Sequence, residues 1–120
     1  MKKTKIAPST KYGFQHWLMQ RVSAVALIPL VIWLVLSFIN IGLDPQGYLP
    51  VFFSYPLNAF MGILFFSCGF YHGSLGLQVI IEDYITNKAK VHFYVMLVNF
   101  ISITTALAVC VAILKLHIAN

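Results

Sequence analysis

The sequence predicts an all-α fold, a transmembrane bundle of three helices with the N-terminus on the cytoplasmic side. Composition, span length and charge placement carry that expectation. Hydrophobic residues make up 60% of the 120-residue chain and charged residues only 9%, where soluble domains carry about a quarter. Mean hydropathy is +0.85. Three apolar stretches each reach the roughly 20 residues needed to cross the hydrocarbon core, and they lie over residues 18–41, 57–81 and 92–114.

Residues 1–17 are polar and basic, and Pro8, Ser9 and Thr10 among them suggest an extended arm at the membrane surface. The three-helix anchor then occupies 18–120. A basic start followed by an apolar run also fits a signal peptide. That reading fails because the run is too long, no small-residue cleavage site ends it and two further spans follow. Pro29 falls inside the first span, where it is expected to kink the helix. Residues 42–56 hold Gly42, Asp44, Pro45, Gly47, Pro50 and Pro56 together with Tyr48, Phe52, Phe53 and Tyr55. The mixture predicts a loop resting on the bilayer interface, where aromatic rings accumulate. Pro56 suits the first turn of the second span. That span ends in Glu82-Asp83-Tyr84, and a short polar turn with Thr86, Asn87, Lys88 and Lys90 leads into the third. In the third span Asn99, Ser102, Thr104 and Thr105 are the polar residues, and hydroxyls at such positions bond to helix backbone or to a neighbouring helix.

Charge sets the orientation. The chain has eight basic and three acidic residues, a formal net charge of +5. Lys2, Lys3, Lys5, Lys11 and Arg21 precede or open the first span, Lys88 and Lys90 lie between the second and third, and the first connection holds none. Positive residues stay on the cytoplasmic side, so the N-terminus and the second connection are expected there. In a membrane protein this basic excess reports topology and does not point to nucleic acid. Cys68 and Cys110 stand alone in apolar runs without metal-ligand spacing, as small buried hydrophobes do.

His72 is the one histidine deep inside an apolar stretch, within Gly69-Phe70-Tyr71-His72-Gly73-Ser74-Leu75-Gly76. An ionisable ring in hydrocarbon is costly and by default marks a functional site. At about 100° per residue, Gly69, His72, Gly73 and Gly76 fall within roughly 100° of one another on a helix. Two readings fit. In one, the imidazole is an axial ligand of a flat cofactor such as haem, lying against bare backbone. In the other, the small residues let helices approach closely and the histidine is hydrogen-bonded within the packing. Asp83 follows His72 by about 16 Å along the helix, which puts His72 near mid-membrane if Asp83 marks the interface. His16, His92 and His117 sit near span ends, so a second axial ligand would come from another subunit.

Two further clusters have a plain and a functional reading. Glu82-Asp83-Tyr84 reads as an interface anchor, or as a binding site in which the Tyr84 hydroxyl donates to a carbonyl at the membrane surface. Within Gln15-His16-Trp17-Leu18-Met19-Gln20-Arg21-Val22-Ser23, Arg21 reads as a snorkelling cation beside Trp17. It also suits an anion at that depth, such as a haem propionate or a carboxylate.

The order Gln20-Arg21-Val22-Ser23-Ala24, followed by His72-Gly73-Ser74-Leu75-Gly76-Leu77-Gln78-Val79-Ile80-Ile81-Glu82-Asp83-Tyr84, resembles the smaller hydrophobic membrane anchor of succinate dehydrogenase, respiratory complex II. The likeness covers nearly the whole chain, and the spacing from His72 to Asp83-Tyr84 is its specific part. The resemblance implies that His72 is the axial ligand to haem b, with the other ligand from the larger cytochrome b subunit. It implies that Tyr84 hydrogen-bonds a ubiquinone carbonyl, that Asp83 helps order the quinone pocket, and that Arg21 lies near the haem propionates and the quinone. A histidine near the propionates in some members aligns with Gln15, one residue from His16, so no role passes to His16. Implied partners are the larger anchor, an iron–sulfur subunit, a flavoprotein subunit and membrane lipid, in a bacterial inner membrane rather than a mitochondrial one. The chain has no flavin fingerprint and no cysteine cluster, so succinate oxidation belongs to the partners. A fumarate reductase anchor and a cofactor-free structural membrane protein are the alternative readings.

Overall fold

The computed structural model describes residues 8–41 and 44–119, and among them every regular element is a helix. α1 spans Pro8–Ile41, α2 Pro45–Ser54, α3 Pro56–Tyr84 and α4 Lys88–Ile118. α1, α3 and α4 are the three helices long and apolar enough to cross a membrane. Pro45 and Pro56 each stand at the start of their helix. There a missing N–H costs nothing and the fixed φ is already helical.

Two expectations about the connecting segments need correction. Residues 8–17 are not an extended arm but the first turns of α1; residues 1–7 lie outside the described residues. Good helix formers such as Gln15, Met19, Gln20 and Arg21 let the helix extend back from the apolar span through residues 8–17. α1 also runs unbroken through Pro29. Likewise, the linker at 42–56 is largely the helix α2. The Asp44 carboxylate accepts from the Gly47 amide at 3.2 Å and caps α2. A Cβ at Gly47 would fall 2.5 Å from that carboxylate, so a glycine lets the cap close. α2 turns Phe53 inward against Ala59 and Ile113, while Phe52 meets Trp33 of α1 with ring centroids 5.7 Å apart. This aromatic packing gives a short, proline-containing segment the burial that its propensity lacks.

α3 is the central helix. α1 and α4 both pack against it, and among the described residues no Cα of α1 comes within 8 Å of one of α4. α3 ends where Ile85 turns extended, and Asn87 caps α4, its side-chain oxygen accepting from Ala89 and Lys90 at 3.0 and 3.4 Å. So short a turn makes α3 and α4 antiparallel neighbours. Some polar side chains are buried beside the small apolar core, while many large apolar ones face outward. Ser23, Ser74 and Gln78 are buried, whereas Val25, Ile32, Phe100 and Ile103 are exposed. A water-soluble bundle turns a polar face outward; here the outward face is apolar, and polar side chains between the helices hydrogen-bond, as in membrane bundles. Ser37, Ser74 and Thr104 return their hydroxyls to backbone carbonyls at 2.7, 2.8 and 2.7 Å, as expected for Thr104. Cys68 and Cys110 are free and half-buried rather than buried, Cys110 Sγ lying 3.7 Å from Ser67 Oγ.

Candidate functional site

His72 lies in the middle of α3, half-buried, with Nδ1 3.0 Å from Ser23 Oγ on α1. Ser23 is 4% exposed, and its hydroxyl also reaches the Gln20 carbonyl one turn earlier at 3.0 Å. His72 Nε2 has no hydrogen-bond partner among the described residues. Beside the ring on the same side of α3, a Cβ added at Gly69 or Gly73 would meet nothing within 4 Å. These two glycines therefore pack against no helix of this chain. Gly76 faces α1 loosely: a Cβ added there would stand 3.9 Å from Gln20 Nε2. The glycine that does admit close packing is Gly62, where a Cβ would stand 2.8 Å from Phe53 Cε1 and 3.3 Å from Ile113 Cδ1.

Ser23 opposite His72 and Gln20 opposite Gly76 show that α1 and α3 run antiparallel. That register puts Arg21 level with Ser74 and Leu75, between His72 and Asp83 along the axis. Arg21 is exposed, its guanidinium carbon 5.6 Å from the centroid of the Trp17 ring. This cation–π contact leaves the guanidinium edge open for an anion. Asp83 and Tyr84 close α3 and are both exposed, Tyr84 at 83%. Their neighbour Glu82 accepts from Gln78 Nε2 at 3.3 Å. Among the described residues no hydrogen bond or ion pair joins Arg21 to Asp83 or Tyr84. The fold thus brings Ser23 to His72 and leaves Arg21, Asp83 and Tyr84 as separate groups on open surface.

A cavity of about 570 Å³ opens elsewhere, in the wedge that α1 and α4 leave above α3. His16, Met19, Tyr71, Gln78 and Asn99 are among its walls, and none of His72, Arg21, Asp83 and Tyr84 is. His16 Nε2 is buried without a partner among the described residues. Gln78 and Asn99 were not singled out as site residues from sequence, although a polar amide within an apolar run is the signal that marks each of them.

Three helices among the described residues are long and apolar enough to cross a membrane, and the middle one carries a histidine held through one ring nitrogen and ends in an acid–tyrosine pair. Residues 3–120 match the family of succinate dehydrogenase/fumarate reductase transmembrane subunits, and the chain belongs to that family. It is 32% identical to the succinate dehydrogenase hydrophobic membrane anchor subunit of Rickettsia typhi over 111 residues, covering 92% of this chain and 89% of the relative. The corresponding subunits of Rickettsia bellii and Rickettsia conorii are 31% and 30% identical, each over 92% of this chain and 89% of the relative. No solved structure matches the chain.

Proposed function

We propose that this anchor subunit holds a haem b through His72 and forms one wall of a ubiquinone-reduction site with Tyr84, Asp83 and Arg21. The observation that carries the reading is the state of His72: among the described residues Nδ1 is engaged by Ser23, Nε2 has no partner, and the face of α3 beside it is bare at Gly69 and Gly73. Those residues fit a haem. They offer one nitrogen donor, a flat surface without side chains, and the Arg21 cation on the next helix for a propionate. A bound haem supplies a one-electron store in the membrane.

The chain's own residues do the rest. His72 offers its Nε2 lone pair and is held at mid-span. Tyr84 donates its hydroxyl to a quinone carbonyl, and Asp83 orders the pocket beside it. Placing both at the end of α3 keeps the reacting head within reach of water, as a two-proton reduction requires, while the tail stays in lipid. The orientation follows from the basic residues, with the Tyr84 end facing the cytoplasm. As a membrane-anchor subunit of the succinate dehydrogenase type, it associates with other subunits of that complex in a bacterial inner membrane. A larger cytochrome b anchor would supply the second axial ligand, and iron–sulfur and flavoprotein subunits would supply electrons from succinate.

The test is a reduced-minus-oxidised optical spectrum of the purified complex, for the native chain and for His72→Ala. A b-type signal that disappears or shifts in the variant is expected. A signal untouched by the substitution would remove His72 as ligand. A complex with no haem signal at all would favour a structural anchor without the cofactor.

A further inference from the structure

We propose that Ser23 is the positioning residue for His72: its hydroxyl oxygen accepts the Nδ1 proton and so fixes the imidazole as the tautomer whose Nε2 carries the lone pair. The inference rests on the haem-ligand reading above and deepens it.

The argument is a count of protons. Ser23 Oγ has two neighbours, the Gln20 carbonyl oxygen at 3.0 Å and His72 Nδ1 at 3.0 Å. A serine hydroxyl holds one proton, and a carbonyl can only accept. With the hydroxyl proton directed to Gln20, the remaining bond requires Nδ1 to be the donor. A neutral imidazole has a single N–H, so Nε2 is then unprotonated, the form a metal needs. The doubly protonated ring would satisfy the same bond, but a charge at mid-span is costly. Ser23 is 4% exposed, which keeps water from replacing it. Metal-bound histidines generally donate their other ring N–H to an outer partner, which orients the ring and makes the ligand more basic. Ser23 occupies that place here, 49 residues away on a different helix. The rival arrangement, with Ser23 donating to Nδ1, puts the proton on Nε2 and blocks ligation.

The two arrangements differ in the sign of one measurement. In the assembled complex in its native membrane, Ser23→Ala and Ser23→Thr are compared with the native chain for haem-to-protein ratio and for haem midpoint potential. If Ser23 accepts, Ser23→Ala leaves Nδ1–H unpartnered and the ring less basic. Haem affinity then falls by about 10–100-fold and the potential rises, because a less basic ligand stabilises the ferric state less. Ser23→Thr, which keeps the acceptor, restores both. A residue that only filled space would alter the amount of assembled complex and leave the potential where it was. Unchanged values in Ser23→Ala, a lowered potential, or Ser23→Thr behaving like Ser23→Ala would overturn the proposal. If Ser23→Ala does not assemble, Ser23→Cys, similar in shape and a poor acceptor, is judged by the same readings. His72→Ala separates the two levels of inference. Haem retained without His72 overturns the ligand reading and this one together. Haem lost without His72 but indifferent to Ser23 overturns this one alone.

Discussion

His117, in the last turn of α4, places Nδ1 2.9 Å from the backbone carbonyl oxygen of Phe53 in α2. The carbonyl accepts, so the imidazole donates. This bond and the Phe53–Ala59–Ile113 cluster beside it tie the end of the third span to the helix that links the first two. Neither His117 nor Phe53 stands out in sequence as a stabilising pair.

Removing the donor tests that tie. His117→Ala leaves the carbonyl of a buried residue without its side-chain partner. A loss of about 1 kcal/mol is expected, read as a lower Tm of the detergent-solubilised protein. His117→Gln keeps a donor and recovers part of it. An unchanged Tm for His117→Ala would mean that α2 is held by aromatic packing alone.

The glycines separate into two groups by what surrounds them. Gly62→Ala drives a methyl into the buried Phe53 ring and Ile113 and is expected to cost about 1–3 kcal/mol by overpacking. Gly69→Ala and Gly73→Ala enter open space, so the solubilised anchor should keep its Tm. Gly73→Leu is expected to keep the fold while lowering haem content, since its side chain would occupy the bare face. If Gly73→Ala lowered the Tm of the isolated anchor as much as Gly62→Ala, the open face would be disproved.

Asn87 governs how α4 begins. Its side-chain oxygen holds the amides of Ala89 and Lys90, so Asn87→Ala should cost about 1 kcal/mol and speed amide exchange at both positions. Asn87→Asp keeps the acceptor, adds a negative charge at a helix N-terminus, and should exchange no faster than the native chain.

For Tyr84 the expectation is functional. Tyr84 is 83% exposed, so Tyr84→Phe should leave folding and haem content unchanged. On the proposed reading Tyr84→Phe removes one hydrogen bond to a quinone carbonyl, and quinone reduction should slow about tenfold. Electron transfer from succinate to a soluble acceptor, which bypasses the membrane, serves as the control. Equal quinone rates for Tyr84→Phe and the native chain would remove the residue from the site.

The three spans and the identity of the odd residue within them were legible in the chain itself. Span length and apolarity are local properties, and a histidine among glycines in hydrocarbon is conspicuous wherever the helix packs. Pro56 at the start of the second span is equally local. The helical character of 8–17 and 45–54 was not legible, because proline and turn residues there match a loop as well as a capped helix. What turns 45–54 into α2 is burial of Phe52 and Phe53 against Trp33, Ala59 and Ile113, partners distant in sequence. Only the tertiary structure decided that Gly62 packs while Gly69 and Gly73 do not, and that Ser23 faces His72. The reason is physical. In a lipid-crossing helix apolar side chains cover every face, so periodicity no longer marks the side that meets a neighbour, and the register between helices selects which polar atoms are brought within bonding distance.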